Sequence, residues 1–201
     1  MTFIVGITGG IASGKTTLVN FLKKNNYPVH DSDLIVKGIY SKPKPSFIKY
    51  LKKTKLYILL KNKKIDKSAI REEIFFNKTK RKLLEKYIHK EVGLERKKFI
   101  NKHKKRKSKI VFLDIPLLFE KKIKGVCSHI IFIYAPINLR KRRAIQRRGM
   151  SRTILRQIIK SQIADKNKMK KSDFVINTSK SKQNSYNQLK QIINNLKNAQ
   201  K

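Results

Sequence analysis

The sequence has only one cysteine and no hydrophobic run long enough to cross a membrane. Cys127 is the single thiol among 201 residues, which excludes an intramolecular disulfide. No apolar stretch approaches the roughly 20 residues of a membrane helix, and the N-terminus lacks the charged, apolar and cleavable segments of a secretory leader. We therefore expect a protein of the cytoplasm without a membrane partner, whose length suits one well-packed unit with appended elements.

Acidic residues are also scarce, with 12 Asp and Glu against 51 Lys and Arg and a formal net charge of +39. Such an excess ordinarily indicates a polyanionic partner such as nucleic acid. The basic residues are scattered over every segment, however, and Ile and Asn are also abundant, a mixture that an A/T-rich coding bias would produce. We expect no specific nucleic-acid partner, nonspecific binding at low salt, and attraction of anionic nucleotides to the surface.

Short apolar segments bounded by polar or glycine-containing turns predict five strands. These are TFIVGIT (2–8), YPVHDSD (27–33), KIVFLDIPLLFE (109–120), HIIFIYA (129–135) and DFVINTS (173–179). Helices are predicted from Lys15 to about Asn25, from Asp33 to about Lys107 with a break at SKPKPS, over 138–171 with a break at RRGMS, and in a last amphipathic segment with Leu189, Ile192, Ile193 and Leu196 on one side. Strands that alternate with helices predict an α/β fold around a mostly parallel sheet.

The strongest motif is GGIASGKTT, which directly follows the first predicted strand and opens a helix. Gly9, Gly14, Lys15 and Thr16 fit the pattern G-x-x-x-x-G-K-[ST] of a phosphate-binding loop. Glycines let backbone N–H groups curl around phosphates, and the helix N-terminus adds its positive dipole. The lysine bridges the β- and γ-phosphates of ATP, and the hydroxyl after it binds Mg²⁺. The predicted ATP-binding residues are Gly10, Ile11, Ala12, Ser13, Gly14, Lys15, Thr16 and Thr17.

Acidic residues follow two of the predicted strands. Asp31 and Asp33 lie at the carboxyl end of the second strand, the edge at which open α/β sheets bind ligands. Residues two apart on an extended chain point to the same side, so one carboxylate could accept a proton from a hydroxyl while the other assists a metal ion. An aspartate at a strand end also commonly caps the next helix, and the spacing leaves both interpretations open. Asp114 is a weaker candidate for holding Mg²⁺.

An arginine-rich run, RKRRAIQRRGMS (140–151), is the third candidate feature. Arg143 and Arg147 are four residues apart, which predicts that they share a helix face. Guanidinium groups brought in by a closing lid suit the charge on a transferring phosphoryl group. The other arginines of the run, Arg140, Arg142 and Arg148, are expected to be solvated.

Taken together, these motifs resemble the dephospho-coenzyme A kinase family along nearly the whole chain. The resemblance rests on GITGGIASGKTT (6–17), VHDSD (29–33), IDKSAIREEIF (65–75), Ile88 with His89, DIPLLFE (114–120), the Arg143/Arg147 pair, and Gln162 followed by Lys168 and SDFVIN. It implies phosphoryl transfer from ATP to the ribose 3′-hydroxyl of dephospho-coenzyme A. It also implies a three-layer α/β/α P-loop kinase core with a helical substrate-binding insertion and a helical lid.

The resemblance further implies a division of the chain and a set of site residues. The implied nucleotide-binding core is 1–33, 108–137 and 172–201, the substrate-binding insertion is 34–107, and the lid is 138–171. Asp33 is implied to be the general base or the group that orients the hydroxyl, with Lys15, Arg143 and Arg147 as the catalytic cations. The expected substrate-binding residues are Asp31, Asp33, Lys37, Arg71, His89, Leu118 and Glu120, and the candidate Mg²⁺ ligands are Thr16 and Asp114.

The chain departs from the usual family pattern at several positions. Ser32 stands in place of alanine and Lys90 in place of proline, and both changes should be tolerated. Lys37 stands in place of arginine, and we expect a looser grip there because lysine cannot make a planar bidentate contact. Ala12 replaces a common glycine of the phosphate loop, which requires that its φ be negative.

Two other functions stay open from the sequence. Another P-loop kinase, acting on a nucleoside, a nucleoside monophosphate or shikimate, would carry the same loop. A P-loop ATPase that binds nucleic acid would suit the charge, but the sequence offers no stacking-aromatic motif and no helicase-like second motif set. The pattern does not indicate an oligomeric state.

Overall fold

The structure, a computed structural model, describes residues 1–54, 56, 60–61, 64–65, 77–121 and 123–200. Its elements in chain order are β1 (Phe3–Gly9), α1 (Lys15–Lys24), β2 (Val29–Asp31), α2 (Ser32–Ser41), α3 (Pro45–Lys53), β3 (Leu60–Lys61), β4 (Lys64–Ile65), α4 (Lys78–Lys105), β5 (Ile110–Asp114), β6 (His129–Tyr134), α5 (Ile137–Ile145), α6 (Arg152–Ser161), α7 (Asp165–Lys170), β7 (Phe174–Asn177) and α8 (Lys182–Asn198). The chain divides into two compact units. We call Met1–His30 with Ile100–Lys201 the core unit, and Asp31–Phe99 the inserted unit.

Five strands form one sheet in the order β2-β5-β1-β6-β7. The pairs β1–β5, β1–β6 and β6–β7 are parallel. β1 and β5 are apolar along almost their whole length, as expected of parallel strands that are covered on both faces. This arrangement confirms the predicted α/β fold with a mostly parallel sheet. It also brings the carboxyl ends of β1, β5, β6 and β7 to one edge of the sheet.

Two helices of the core unit, α1 and α8, pack together in one hydrophobic cluster with the sheet. Leu18 and Leu22 of α1 join Val5 and Ile7 of β1 in this cluster. Phe21 stacks on Tyr186 with ring centroids 4.4 Å apart. The four residues predicted on one side of the last helix are all buried in the same cluster, namely Leu189, Ile192, Ile193 and Leu196. The packing therefore fixes the N-terminus of α1, where the phosphate motif lies.

The inserted unit has a smaller hydrophobic cluster of its own. Phe47 and Leu51 of α3 pack with Leu84 and Ile88 of α4, and Tyr87 stacks on Phe47 at 4.7 Å. α3 begins at Pro45, which confirms the predicted break at the prolines. The prediction that the segment from Asp33 to about Lys107 is otherwise helical is wrong at β3 and β4, which form a short antiparallel pair. Their pattern is too short to be distinguished from a helix by periodicity.

Candidate active site

The loop between β1 and α1 has the curled backbone that the motif predicts. Gly14 caps α1 with a φ of 90°, a left-handed conformation that suits glycine. The N–H of Ser13 donates to the carbonyl of Gly10 at 3.1 Å and closes the turn. Lys15 and Thr16 begin α1, so their N–H groups have no carbonyl partner within the helix and can donate to an anion.

Ala12 contradicts one prediction made for this loop. Its φ is +57°, whereas the sequence comparison with glycine required a negative value. The left-handed conformation costs a residue with a Cβ about 1–2 kcal/mol. Ala12 is only 6% exposed and packs with Ala144 and Leu155, and burial of one methyl carbon contributes about 0.8 kcal/mol. Packing against α5 and α6 thus offsets much of the conformational cost that the prediction treated as prohibitive.

Lys15 forms an ion pair with Asp114, the last residue of β5. Its Nζ contacts Oδ1 of the carboxylate, and the two side chains are only 13% and 8% exposed. β5 pairs directly with β1, with Asp114 opposite Ile7, so this carboxylate lies at the sheet edge from which the loop departs. Thr16, the other candidate Mg²⁺ ligand, is exposed in the first turn of α1. Both candidate ligands therefore lie next to Lys15, one along the chain and one through the ion pair.

Arg143 is held by Thr178, a residue that sequence reasoning did not single out. Nη1 and Nη2 of the arginine donate to the hydroxyl and the carbonyl of Thr178 at 3.2 and 2.8 Å. The hydroxyl in turn donates to the carbonyl of Ser13 at 2.7 Å. Thr178 directly follows β7, so the rule that ligands bind at the carboxyl ends of parallel strands could have indicated it.

Arg147 does not share a helix face with Arg143, contrary to the prediction. α5 ends at Ile145, and the N–H of Arg147 bonds to the carbonyl of Ala144 at 3.0 Å in a tighter turn. Gly149 follows with a φ of 77° and redirects the chain. Both arginines nevertheless line one cavity of about 220 Å³ beside the phosphate loop. Its other lining residues are Ala12, Gly14, Thr17, Leu18, Thr178, Lys180, Ser181, Lys182 and Ser185.

Arg140 is buried rather than solvated, which corrects a second prediction for the arginine-rich run. Only 5% of the residue is exposed, and its Nη2 donates to Oδ2 of Asp165 at 2.6 Å. Its guanidinium lies against Gly10, where a Cβ would come within 1.9 Å of Nη1. A partner 25 residues away, on α7, cannot be identified from the pattern of α5 alone. A side chain larger than that of glycine at position 10 would therefore displace this guanidinium from its place beside Asp165.

Gln162, in the segment between α6 and α7, also contacts the phosphate loop. Oε1 of Gln162 accepts the N–H of Ile11 at 3.3 Å. Gln162 is one of the residues on which the family resemblance rests, but no role was predicted for it. The structure makes it a support for the loop backbone.

Glu120 forms a buried ion pair with Lys168 of α7. Its Oε1 lies 2.6 Å from Nζ of Lys168, which is fully buried, and accepts the N–H of Ile163 at 3.1 Å. Burial alone would raise the pKa of Glu120, but Lys168 and the Ile163 N–H hold that pKa below its usual value. Leu118 is also fully buried, against Gly6. These positions make both side chains part of the packing of the core unit, which does not favour their predicted contact with substrate.

The other predicted site residues belong to the inserted unit. Oδ1 of Asp31 accepts the N–H of Leu34 at 3.0 Å and caps α2, so the capping interpretation holds for this residue. Asp33 already lies in the first turn of α2, and the prediction of an extended Asp31–Asp33 pair is wrong because the helix begins between them. Asp33 and Lys37 are exposed one turn apart, and His89 is exposed on α4. Arg71 lies outside the described residues.

Within the described part of the chain, no group of three or more His, Cys, Asp or Glu side chains is arranged to hold a metal ion. A cation at the phosphate loop would instead need one or two oxygen ligands and several waters, which is the usual mode of Mg²⁺. No helix among the described residues is long and apolar enough to span a bilayer.

Comparison with known proteins places the chain close to one family. The family model for dephospho-CoA kinase matches residues 3–184. The dephospho-CoA kinase of Bartonella quintana is 35% identical over 194 residues, which cover 96% of this chain and 97% of that protein. The enzyme of the same name from Fusobacterium nucleatum is 36% identical over 177 residues, with 86% and 88% covered. The structure of dephospho-CoA kinase from Campylobacter jejuni aligns over the full length of both chains with a TM-score of 0.75 and 27% identity.

Proposed function

The chain belongs to the dephospho-CoA kinase family, and we propose that its phosphate loop, Lys15, Asp33 and the two arginines of the cavity carry out this family's reaction. The protein is a transferase that phosphorylates dephospho-coenzyme A with ATP, the last step of coenzyme A synthesis. The observation that carries the proposal for the site is the phosphate loop at the carboxyl edge of the sheet, with Lys15 held by Asp114.

In this proposal the phosphates of ATP lie in the curl of residues 10–17. The N–H groups at the start of α1 donate to phosphate oxygens, and the helix dipole adds to the attraction. Lys15 already points to the carboxyl edge through its contact with Asp114, and it exchanges that carboxylate for the β- and γ-phosphate oxygens. The cavity lined by Arg143, Arg147 and Thr178 adjoins the loop, and we propose that its two guanidinium groups contact the phosphates.

The residues present also fit Mg²⁺. Hydroxyl and carboxylate oxygens are the ligands this hard cation prefers, and Thr16 and Asp114 supply one of each next to Lys15. A cation held by these two residues would supply positive charge to offset that of the phosphates. Asp114 becomes available for this role, directly or through water, once Lys15 turns to the phosphates.

Asp33 is proposed to accept the proton of the ribose 3′-hydroxyl. Its carboxylate is exposed in the first turn of α2, directly after the carboxyl end of β2, so it is accessible to a substrate. The carboxylate orients the hydroxyl and removes its proton while the oxygen bonds to the γ-phosphorus and the bond from phosphorus to ADP breaks. Arg143 and Arg147 stabilise the charge on the transferring group. Lys37, Arg71 and His89 are the proposed contacts to the rest of the substrate, with Asp31 as a further one.

Neither alternative function is favoured by the comparisons, since curated relatives that are 34–36% identical over most of the chain are dephospho-CoA kinases. We propose that the protein acts in the cytoplasm and that its basic surface attracts its two anionic substrates without specific nucleic-acid binding.

The proposal is tested by measuring ADP release from MgATP with dephospho-coenzyme A, and separately with adenosine, AMP, shikimate or duplex DNA. We expect turnover only with dephospho-coenzyme A. Lys15→Ala should abolish it, whereas Lys24→Ala, which removes an exposed charge at the other end of α1, should not. Turnover with a different acceptor would reject the substrate, and full activity of Lys15→Ala would reject the phosphate site.

A further inference from the structure

Thr178 makes more hydrogen bonds than its place at the end of β7 requires. Its backbone N–H donates to the carbonyl of Tyr134 at 2.9 Å, which continues the pairing of β7 with β6. Any residue except proline would make that bond. The side chain is what distinguishes this position, because the residue is only 6% exposed and its hydroxyl contacts both Arg143 and the phosphate loop.

The direction of the hydrogen bonds at this hydroxyl is fixed by chemistry. A guanidinium has no acceptor, so Oγ1 of Thr178 must accept from Nη1 of Arg143. The hydroxyl has one proton, and the carbonyl of Ser13 at 2.7 Å is a better acceptor than that of Tyr134 at 3.3 Å. The result is a chain from the arginine through the hydroxyl to the loop carbonyl, in which the charged donor strengthens the second bond.

These two linked hydrogen bonds set the orientation of one peptide group in the phosphate loop. The peptide between Ser13 and Gly14 is planar and trans, so its C=O and N–H point in opposite directions. A carbonyl that is held on Thr178 turns the Gly14 N–H to the opposite side of the peptide. Gly14 also needs its positive φ here, and a Cβ would meet the hydroxyl oxygen at 3.2 Å.

We propose that Thr178 is a positioning residue for nucleotide binding, which couples Arg143 to the phosphate loop through its hydroxyl. The inference rests on the proposed function, because it takes the Gly14 N–H and Arg143 to be groups that receive the phosphates. The hydroxyl holds both in their binding orientation before the nucleotide arrives. Without it, the Ser13 carbonyl loses the hydrogen bond that orients its peptide, and Arg143 loses one of its two bonds to Thr178.

The test compares Thr178→Val, which keeps the shape but lacks the hydroxyl, with Thr178→Ser, which keeps the hydroxyl. We expect Thr178→Val to raise the Kd for ADP and the KM for ATP about tenfold, the effect of one lost charge-assisted hydrogen bond, with little change in the KM for dephospho-coenzyme A. Thr178→Ser should change both by less than about threefold. Thr54→Val is the matched control, since it removes a hydroxyl that donates to the carbonyl of Tyr50 at 2.7 Å in the inserted unit.

A double-mutant cycle tests the coupling. In an Arg143→Ala background, Thr178→Val should raise the Kd for ADP by less than about threefold. The hydrogen bond from Arg143 to the Thr178 hydroxyl is already missing there, so less remains to be lost. Equal factors in both backgrounds, or equal losses in Thr178→Ser and Thr178→Val, would overturn the proposal. If Thr178→Val does not fold, Thr178→Ala replaces it, since the smaller side chain cannot overpack the site. ADP binding needs no acceptor, so these results stand apart from any failure to phosphorylate dephospho-coenzyme A.

Discussion

Single residues with positive φ decide the shape of the phosphate loop. Gly14 takes this conformation at little cost, whereas Ala12 takes it with a Cβ and relies on packing against Ala144 and Leu155. The loop is thus partly built by helices that follow it by more than a hundred residues in the chain. A sequence argument that considers only the backbone preference of alanine misses this support.

Ala12→Gly should change the free energy of unfolding by less than about 1 kcal/mol. Relief of the left-handed conformation, about 1–2 kcal/mol, is opposed by the lost methyl contacts, about 0.8 kcal/mol, and by the added freedom of the unfolded chain, about 0.4–1 kcal/mol. Ala144→Gly is the control, because a glycine within α5 adds about 1 kcal/mol of helix cost to the same methyl loss. Urea unfolding measures both, and equal losses in the two variants would contradict the assignment of strain to Ala12.

Asp33→Asn should retain ADP binding and lower kcat by about 10²–10⁴, the usual contribution of a general base. The amide has nearly the same shape as the carboxylate but cannot accept the hydroxyl proton. Asp31→Asn is the comparison, since asparagine caps a helix as well as aspartate does, and we expect a change in the KM for substrate without the fall in kcat. Steady-state kinetics and calorimetry distinguish the two, and normal turnover of Asp33→Asn would remove this residue from its proposed role.

At the level of elements, the five strands of the main sheet and the first and last helices could be predicted because each carries a local pattern. The predicted strands 27–33 and 109–120 are too long, since β2 ends at Asp31 and β5 at Asp114. β1, β5 and β6 are continuous apolar runs, and α8 has its buried residues at helical spacing. The β3–β4 pair and the end of α5 before Arg147 could not, because two-residue strands have no periodicity and Arg147 continues a helical spacing beyond the last helical residue.

The phosphate-loop part of the candidate site could be predicted because one local motif contains both the lysine and the glycines that shape the loop. Lys15 and Gly14 belong to a local motif, so their positions followed from the sequence. The roles of Arg140, Gln162 and Thr178 depend on partners far along the chain, namely Asp165, Ile11 and Ser13. No local pattern in a single sequence identifies such tertiary partners, although the place of Thr178 directly after a strand could have indicated it as a site residue.

The buried ion pair between Glu120 and Lys168 ties α7 to the segment after β5, and its two halves should be costly to remove separately. Glu120→Gln or Lys168→Met alone should lower the free energy of unfolding by about 3–5 kcal/mol, since each leaves a buried charge without its partner. The double variant should recover most of the loss, because no charge is left in the site. Glu85→Gln, which breaks the exposed pair with Arg81, should cost less than about 1 kcal/mol in the same urea titration.

The same pair should contribute to loss of stability in acid. The pKa of Glu120 is lower in the folded protein than in the unfolded chain, so its stabilisation is complete above the unfolded value and is lost as the pH falls through the folded one. That window lies below about pH 4, the ordinary range of a glutamate. The double variant should therefore lose less stability than the wild type between about pH 6 and pH 3. Parallel pH profiles of the two proteins would contradict the lowered pKa of Glu120.

For the whole molecule, the net charge of +39 is the feature that single sites do not explain. Like charges on one surface repel one another and favour the unfolded chain, in which they are farther apart. On α4, Lys82, Lys86 and Lys90 are all exposed at successive i, i+4 positions, so their like charges are neighbours on the helix surface. Like-charged pairs at this spacing destabilise a helix by about 0.2–0.5 kcal/mol each.

Lys86→Glu should therefore stabilise the protein at low salt, because it replaces two repulsive neighbours by two attractive ones. The expected gain is about 1 kcal/mol, and Lys86→Gln, which only removes the charge, should gain about half as much. Both gains should fade toward 1 M NaCl, where the screening length falls to about 3 Å, while the wild type itself becomes more stable as salt is added. Thermal unfolding across a salt series measures all three proteins. If the variants gained nothing at low salt, or if their gain persisted at high salt, self-repulsion would not be what limits the stability of this basic chain.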